Sequence, residues 1–290
     1  MQDTWVRVRG ADDVRLEVRV VRPGVPEAPT LMLHHGLASS QRIWDLMVPR
    51  LARRFREVTY DARGHGRSSK PTSGYGFERV VGDARAVIRA TRAGRPIVVG
   101  HSWGAMVALE LAARHPRSVA GAVLVDGGIA PLGARMSWAQ TKAQLAPPRL
   151  AGIHVEEFRA MIRTFFADAI EVSPDVESIV MSLMRVGRDG RIRPHLSRAN
   201  HFRILRAVWQ QDPVALHARL RVPALAILAH RSGDDRETGR EDDKRLAVRQ
   251  LREVGAPTRV TWLEGIHDLP LQHPEALCRR IERFAAAAVG

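Results

Sequence analysis

The stretch that most constrains this chain is residues 97–111, IVVGHSWGAMVALEL. An apolar run that reads as a buried strand leads into Gly100-His101-Ser102-Trp103-Gly104, and an apolar helix follows. Gly-x-Ser-x-Gly between a strand and a helix implies a sharp, strained turn that presents a serine hydroxyl as a nucleophile. The residues two positions either side of the serine need almost no side chain, because strand and helix close on each other there. The helix aims its unpaired N–H groups and the positive end of its dipole at any anion forming beside the serine. The pentapeptide alone fits an ordinary glycine-rich turn as well; the strand before it and the helix after it supply the context that a nucleophile turn demands.

The rest of the chain places this turn in an α/β order. Residues 4–9 and 14–22 alternate apolar and polar, which predicts an antiparallel hairpin with one buried face. Residues 30–33 read as a short buried strand ending in His34-His35-Gly36-Leu37, residues 41–55 as a helix, and 57–60 as a strand. A glycine-rich loop, Asp61-Ala-Arg-Gly-His-Gly-Arg-Ser68, precedes an amphipathic helix over 77–92. After the serine turn, 119–125 is another apolar strand, ending in Asp126-Gly127-Gly128. The succession predicts a mostly parallel sheet with helices on both faces, whose chemistry lies beyond the C-terminal ends of its strands. His35, Asp61, Ser102 and Asp126 all fall there.

From residue 129 to 213 the strands disappear. Irregular helices are expected over 136–145, 155–169, 174–186 and 201–211, an insertion positioned to lie over the serine as a lid. Most of its methionines and aromatics read as helix packing. The β/α pattern then resumes with a strand over 224–229, a polar loop over 230–243, a helix over 244–254, a strand over 258–263, and a closing helix over 274–289. The expected organisation is a core of residues 1–128 and 214–290 with a helical cap of residues 129–213.

A serine hydroxyl needs a base, and the base needs an acid to fix its tautomer. Of the 12 histidines, His267 is the preferred base, because it follows the last strand in a turn carrying Gly265 at the edge where Ser102 lies. Asp126 is the favoured acid, with Asp235 or Asp234, in the loop after residues 224–229, as alternatives. The oxyanion of a tetrahedral intermediate needs about two backbone donors; the N–H groups of Leu37 and Trp103 are the candidates. Asp61 and His65 read as loop residues rather than ligands, and no zinc spacing or phosphate loop is present, so no metal and no cofactor are expected.

Composition excludes other classes. The formal net charge of +14 suggests nucleic acid, yet 42 of the 45 basic residues are arginines scattered along the chain, and aromatics are 5%. With no basic run and no stacking platform, specific nucleic-acid binding is not expected. Cys278 is the only cysteine, MQDTWVRVRG has no signal-peptide core, and no apolar run approaches the roughly 18 residues of a membrane span. A cytoplasmic protein with no membrane partner is the expectation.

His35-Gly36, Asp61-x-Arg63-Gly64-His65-Gly66-x-Ser68, Gly100-x-Ser102-x-Gly104 and Gly265-x-His267 before Pro274, in that order, resemble the α/β-hydrolase superfamily over essentially the whole chain. The resemblance implies an eight-stranded sheet with a helical cap, a serine nucleophile, a histidine base and acyl-enzyme chemistry without a cofactor. Ser102 stands where the haloalkane dehalogenases and epoxide hydrolases carry an aspartate nucleophile, which separates the chain from those branches. The loop after residues 224–229 departs from the Gly-x-x-Asp common in the superfamily, which leaves the acid open. The leading expectation is hydrolysis of a small or medium apolar ester or lactone. A thioesterase, a cofactor-free perhydrolase or a peptidase would use the same parts, and Trp103 resembles some proline iminopeptidases, with Glu156, Glu157, Glu171, Asp175 and Glu177 as possible amine-binding acids. A non-catalytic ligand-binding member of the fold is the alternative of a different class.

Overall fold

The computed structural model describes residues 2–25, 27–231 and 235–289, the side chains of 235–240 and 289 excepted. Its strands are β1 (Gln2–Arg9), β2 (Arg15–Arg22), β3 (Thr30–His34), β4 (Arg56–Tyr60), β5 (Ile97–His101), β6 (Gly121–Val125), β7 (Met184–Val186), β8 (Ile192–Pro194), β9 (Ala224–His230) and β10 (Thr258–Glu264). Eight of them form one sheet in the order β1-β2-β4-β3-β5-β6-β9-β10. The β1-β2 and β2-β4 pairs are antiparallel and every other pair in that sheet is parallel. This is the α/β-hydrolase architecture.

The strands that bury both faces are those whose residues are apolar without alternation. Along β3, Leu31 and Leu33 join one core while Met32 joins the other; along β5, Ile97 and Val99 separate from Val98 in the same way. The period of two puts successive side chains on opposite faces. The core that holds Met32 and Val98 packs under α2 (Phe77–Ala90) and α3 (Trp103–Arg114), and the core that holds Leu31, Leu33, Ile97 and Val99 packs under α1 (Val48–Leu51) and α12 (Pro274–Val289).

Between β6 and β9 the chain runs through α4 (Leu132–Arg135), α5 (Trp138–Gln144), α6 (Val155–Phe166), α7 (Pro174–Met181), α8 (Arg198–Gln210) and α9 (Pro213–Ala218). The core then resumes with α10 (Asp235–Glu253) after β9 and α11 (Leu269–Gln272) before α12. Among the described residues no helix is long and apolar enough to cross a membrane.

Four local expectations are corrected. The helix expected over 41–55 is a 3-10 turn at Gln41–Trp44 and the short α1, because Pro49 stands in the first turn of α1 and has no N–H to continue a helix across it. The helix expected over 136–145 is shorter, α5 beginning at Trp138 because the Ser137–Gln140 capping box sets its start. The segment 129–213 is not free of strands: β7 and β8 pair antiparallel around a turn in which Gly190 takes φ +70°, Gly187 donates to the Arg191 carbonyl, and the Arg191 N–H bonds Asp189. The polar loop expected over 230–243 is largely the start of α10. Its early turns are charged, so no apolar stripe announces them, and its buried face is Ala247, Val248 and Leu251 near the end.

Candidate active site

The strand order sets the site. Adjacent β3, β5, β6, β9 and β10 end at one edge of the sheet, so Leu37, Ser102, Asp126, Ala229 and His267 follow one another across it.

Ser102 takes φ 55° and ψ −116° between β5 and α3. A serine pays in backbone strain for this conformation, and the packing around it enforces the turn. A Cβ on Gly100 would lie 2.1 Å from the Gly104 carbonyl oxygen, and one on Gly104 would lie 2.2 Å from that of His34. Neither position tolerates a side chain. The Ser102 N–H donates to the Val125 carbonyl at 2.8 Å, which ties the turn to β6.

The turn carrying Leu37 closes on the serine: a Cβ on Gly36 would lie 3.3 Å from Ser102 Cβ. Buried imidazoles hold this turn. His35 accepts the Ala62 N–H on Nε2 at 3.0 Å, so its Nδ1–H donates to the Gly36 carbonyl at 2.8 Å. His65 accepts the Ala38 N–H on Nε2 at 3.3 Å and donates Nδ1–H to the Arg63 carbonyl at 2.9 Å. Burial depresses the pKa of both rings, above all His65, and that of His34 to about 3, so all three stay neutral and their tautomers are fixed.

The loop from Asp61 to Ser68 is scaffolding. Asp61 accepts from the Gln41 and Arg67 N–H groups at 3.0 and 2.9 Å. Arg63 grips Asp83 with two hydrogen bonds of 2.7 and 2.8 Å, both side chains being 1% exposed. Among the described residues no group of three or more His, Cys, Asp or Glu side chains is arranged to hold a metal ion.

His267 follows β10 and Gly265. Its loop is anchored where the Ile266 N–H bonds the Gln272 side chain at 2.7 Å and where His101 Nε2–H donates to the His267 carbonyl at 2.9 Å. Nδ1–H of His267 donates to Asp126 Oδ2 at 2.6 Å. Asp126 itself sits at φ 44°, a left-handed conformation that aspartate tolerates better than most residues, and its N–H is bound to the Ile227 carbonyl at 2.8 Å. Its other oxygen, Oδ1, accepts from the Ala229 N–H at 2.8 Å and lies 2.7 Å from Lys244 Nζ.

Burial works against ionisation of Asp126, but the hydrogen bond and charge of His267, aided by Lys244, outweigh it and hold the carboxyl well below its usual range. Burial likewise opposes the charged form of His267, and the bond to Asp126 overcomes it, so its pKa is raised. The imidazole side chain is 46% exposed, which damps that upward shift.

Thus Asp126 is the carboxylate placed against His267. Asp234 lies outside the described residues, and Asp235 is described only as the backbone of the first residue of α10. Lys244 was not among the residues that the sequence singled out; a lone lysine in a charged helix carries no local signal.

Ser102 and His267 both line a cavity of about 580 Å³, as do Leu37 and Trp103. Most of its wall is apolar, with Met106 from α3, Leu132 from α4, and Leu205 and Val208 from α8. None of the five acids considered as amine binders lines it; Glu177 instead pairs with Arg159 and Arg163 of α6.

Sheet order and serine turn together define the α/β-hydrolase fold. Residues 29–177, more than half of the chain, match the family described as alpha/beta hydrolase fold, and the chain belongs to that family. A 102-residue stretch is 44% identical to the probable oxidoreductase EphD of Mycobacterium tuberculosis (strain ATCC 25618 / H37Rv), covering 34% of this chain and 17% of that one. A 118-residue stretch is 34% identical to the 2-(acetamidomethylene)succinate hydrolase of Mesorhizobium japonicum (strain LMG 29417 / CECT 9101 / MAFF 303099), covering 41% and 42% of the two chains. The matches therefore span less than half the length of either curated relative. The crystal structure of E-2-(acetamidomethylene)succinate hydrolase superposes with a TM-score of 0.78 at 22% identity, covering 98% of this chain and 100% of that one, a likeness of fold.

Proposed function

We propose that this chain is a serine hydrolase that cleaves a carboxylic ester or lactone through an acyl-enzyme intermediate. The observation that carries the reading is the Asp126–His267 hydrogen bond beside a strained serine on the wall of the same cavity.

In this reading His267 Nε2 takes the hydroxyl proton as Ser102 Oγ bonds to the acyl carbon. The carbonyl π pair moves onto oxygen, where the N–H groups of Leu37 and Trp103 receive the charge; a single such donor is worth roughly 10²–10³ in rate. The intermediate collapses, the carbon–oxygen bond to the leaving group breaks, and the departing alkoxide takes the proton from Nε2. Water then repeats the sequence on the acyl-serine and releases the acid. Asp126 keeps the Nδ1 proton in place throughout, so that Nε2 remains the basic nitrogen. No step calls for a cofactor.

The segment 129–213 is read as the lid, since its Leu132, Leu145 and Leu205 supply wall of the cavity that Ser102 lines. A volume of about 580 Å³ with a mainly apolar wall suits a small or medium apolar substrate. The iminopeptidase reading is disfavoured, because the only carboxylate among the described cavity residues is Asp126, already bound by His267 and Lys244.

Intact-mass measurement after a fluorophosphonate probe tests this on wild type, Ser102→Ala and Asp126→Asn, alongside turnover of short- and medium-chain p-nitrophenyl esters. One adduct on wild type, none on Ser102→Ala, and labelling slowed by roughly 10⁴ in Asp126→Asn are expected. Labelling without ester turnover would replace the ester assignment by another acyl substrate. A wild-type chain that takes no adduct would sink the reading.

A further inference from the structure

Lys244 brings an ammonium to the carboxylate that holds His267. Its Nζ lies 2.7 Å from Asp126 Oδ1 and donates to the Ala229 carbonyl at 2.8 Å. The same Oδ1 accepts the Ala229 N–H, so the end of β9 and the lysine enclose it together. Among the described residues Oδ2 keeps one partner, the imidazole. The Asp126 side chain is 3% exposed and that of Lys244 17%, so solvent screens the pair weakly. Burying a lysine beside an aspartate is not by itself a way to gain stability, because desolvation offsets the attraction. Its placement on the wall of the serine cavity points to the chemistry instead.

We propose that Lys244 is a positioning residue for the reaction read above, on which this inference rests: it clamps the second oxygen of Asp126 and, through that carboxylate, sets the basicity of His267. The clamp fixes the plane of the carboxylate, so Oδ2 stays in line with Nδ1 while the proton moves from Ser102 Oγ to Nε2. The charge opposes protonation of the imidazole, so the base is neutral at a lower pH than Asp126 alone would allow. Lys244 keeps all its protons throughout; before the transfer the row carries a neutral ring, a carboxylate and an ammonium, and after it an imidazolium, a carboxylate and an ammonium.

Asp126 and Asp268 favour the charged form of His267 and Lys244 disfavours it. The His101 ring lies 5.0 Å away and is neutral, and Arg135 on the cavity wall is paired with Asp243.

The test is the rate of Ser102 labelling by a fluorophosphonate from pH 5 to 9 on the full chain, for wild type, Lys244→Met, Lys244→Gln and Lys244→Arg. Met and Gln are expected to lower the plateau rate about tenfold and to move the acidic limb up by about half to one pH unit; Arg, which keeps the charge, is expected to return the limb to its wild-type position. Should the Met variant fail to fold, Gln, which keeps a donor to Asp126, carries the comparison. An imidazole NMR titration of His267 reads the same shift where labelling is slow. An unmoved limb in the neutral variants, whatever the plateau, overturns the proposal and leaves Lys244 a packing residue. Failure of the underlying reading looks different: wild type then takes no adduct at any pH, and the proposal falls with it.

Discussion

His101 Nε2–H donates to the carbonyl of His267 at 2.9 Å, joining the last residue of β5 to the loop after β10 across two intervening strands. The residue before the serine thus holds the loop that carries the base. Burial, then the nearby His267, pushes the pKa of His101 down to about 4, so the ring stays a neutral donor throughout the physiological range. Its Nδ1 is buried without a partner among the described residues, which leaves the bond to His267 as the one this imidazole is placed to make.

Replacing that donor should loosen the base without touching it. His101→Leu leaves the His267 carbonyl unpaired, which costs roughly 1–3 kcal/mol shared between stability and geometry. The expected outcome is fluorophosphonate labelling slowed about five- to tenfold, with a melting temperature a few degrees lower. A variant that labels at the wild-type rate would show that the tie has no part in placing the base.

The pH profile follows from the electrostatics of the same ring. His267 must be neutral to accept the serine proton, so labelling rises with pH through its pKa. Burial lowers that pKa, the hydrogen bond and charge of Asp126 raise it by more, and the net shift is upward from the ordinary 6.5. The acidic limb of the wild-type profile should therefore have its midpoint above 6.5. Asp126→Asn removes the charge, and the limb should move to lower pH even as the rate collapses. A limb that stays in place would mean that the titrating group is not the imidazole bound to Asp126.

How much of this was legible beforehand depends on whether the cause is local. Gly100, Ser102 and Gly104 are readable because their constraint is steric and contained in five residues. Strand β6 is readable because burial on both faces leaves no polar residue in it, as in Val123-Leu124-Val125. The partner of His267 is not local. Asp126 and the carboxylates at 234 and 235 all follow strands that end at the same edge, and only the side-by-side order β6-β9-β10 brings Asp126 to within 2.6 Å of the ring. Lys244 is less legible still, since its helix has no apolar stripe in its first turns and its two bonds run to the ends of β6 and β9.

Glu57 carries the last prediction. It lies in the middle of the sheet on β4, opposite Leu31 of β3 and Val21 of β2, and is 0% exposed. Neither carboxyl oxygen has a hydrogen-bond partner among the described residues. Burial, opposed only in part by the charge of Arg19, pushes its pKa up to about 8, against 4.5 for an unperturbed glutamate. The folded chain therefore holds a proton that the unfolded chain releases between those values. A group raised in this way contributes stability that is complete below pH 4.5 and is lost as the pH climbs through about 8. The loss is bounded at about 5 kcal/mol by the size of the shift. Glu57→Gln keeps the shape and removes the titration, so it should flatten the fall in stability between pH 5 and pH 9 and stabilise the protein most at the alkaline end. Urea unfolding at pH 5, 7 and 9 on the two proteins reads this directly. Parallel stability curves would show that Glu57 does not hold its proton in the folded chain; converging curves at pH 5 and a gap of a few kcal/mol at pH 9 would show a carboxylic acid kept neutral by the sheet around it.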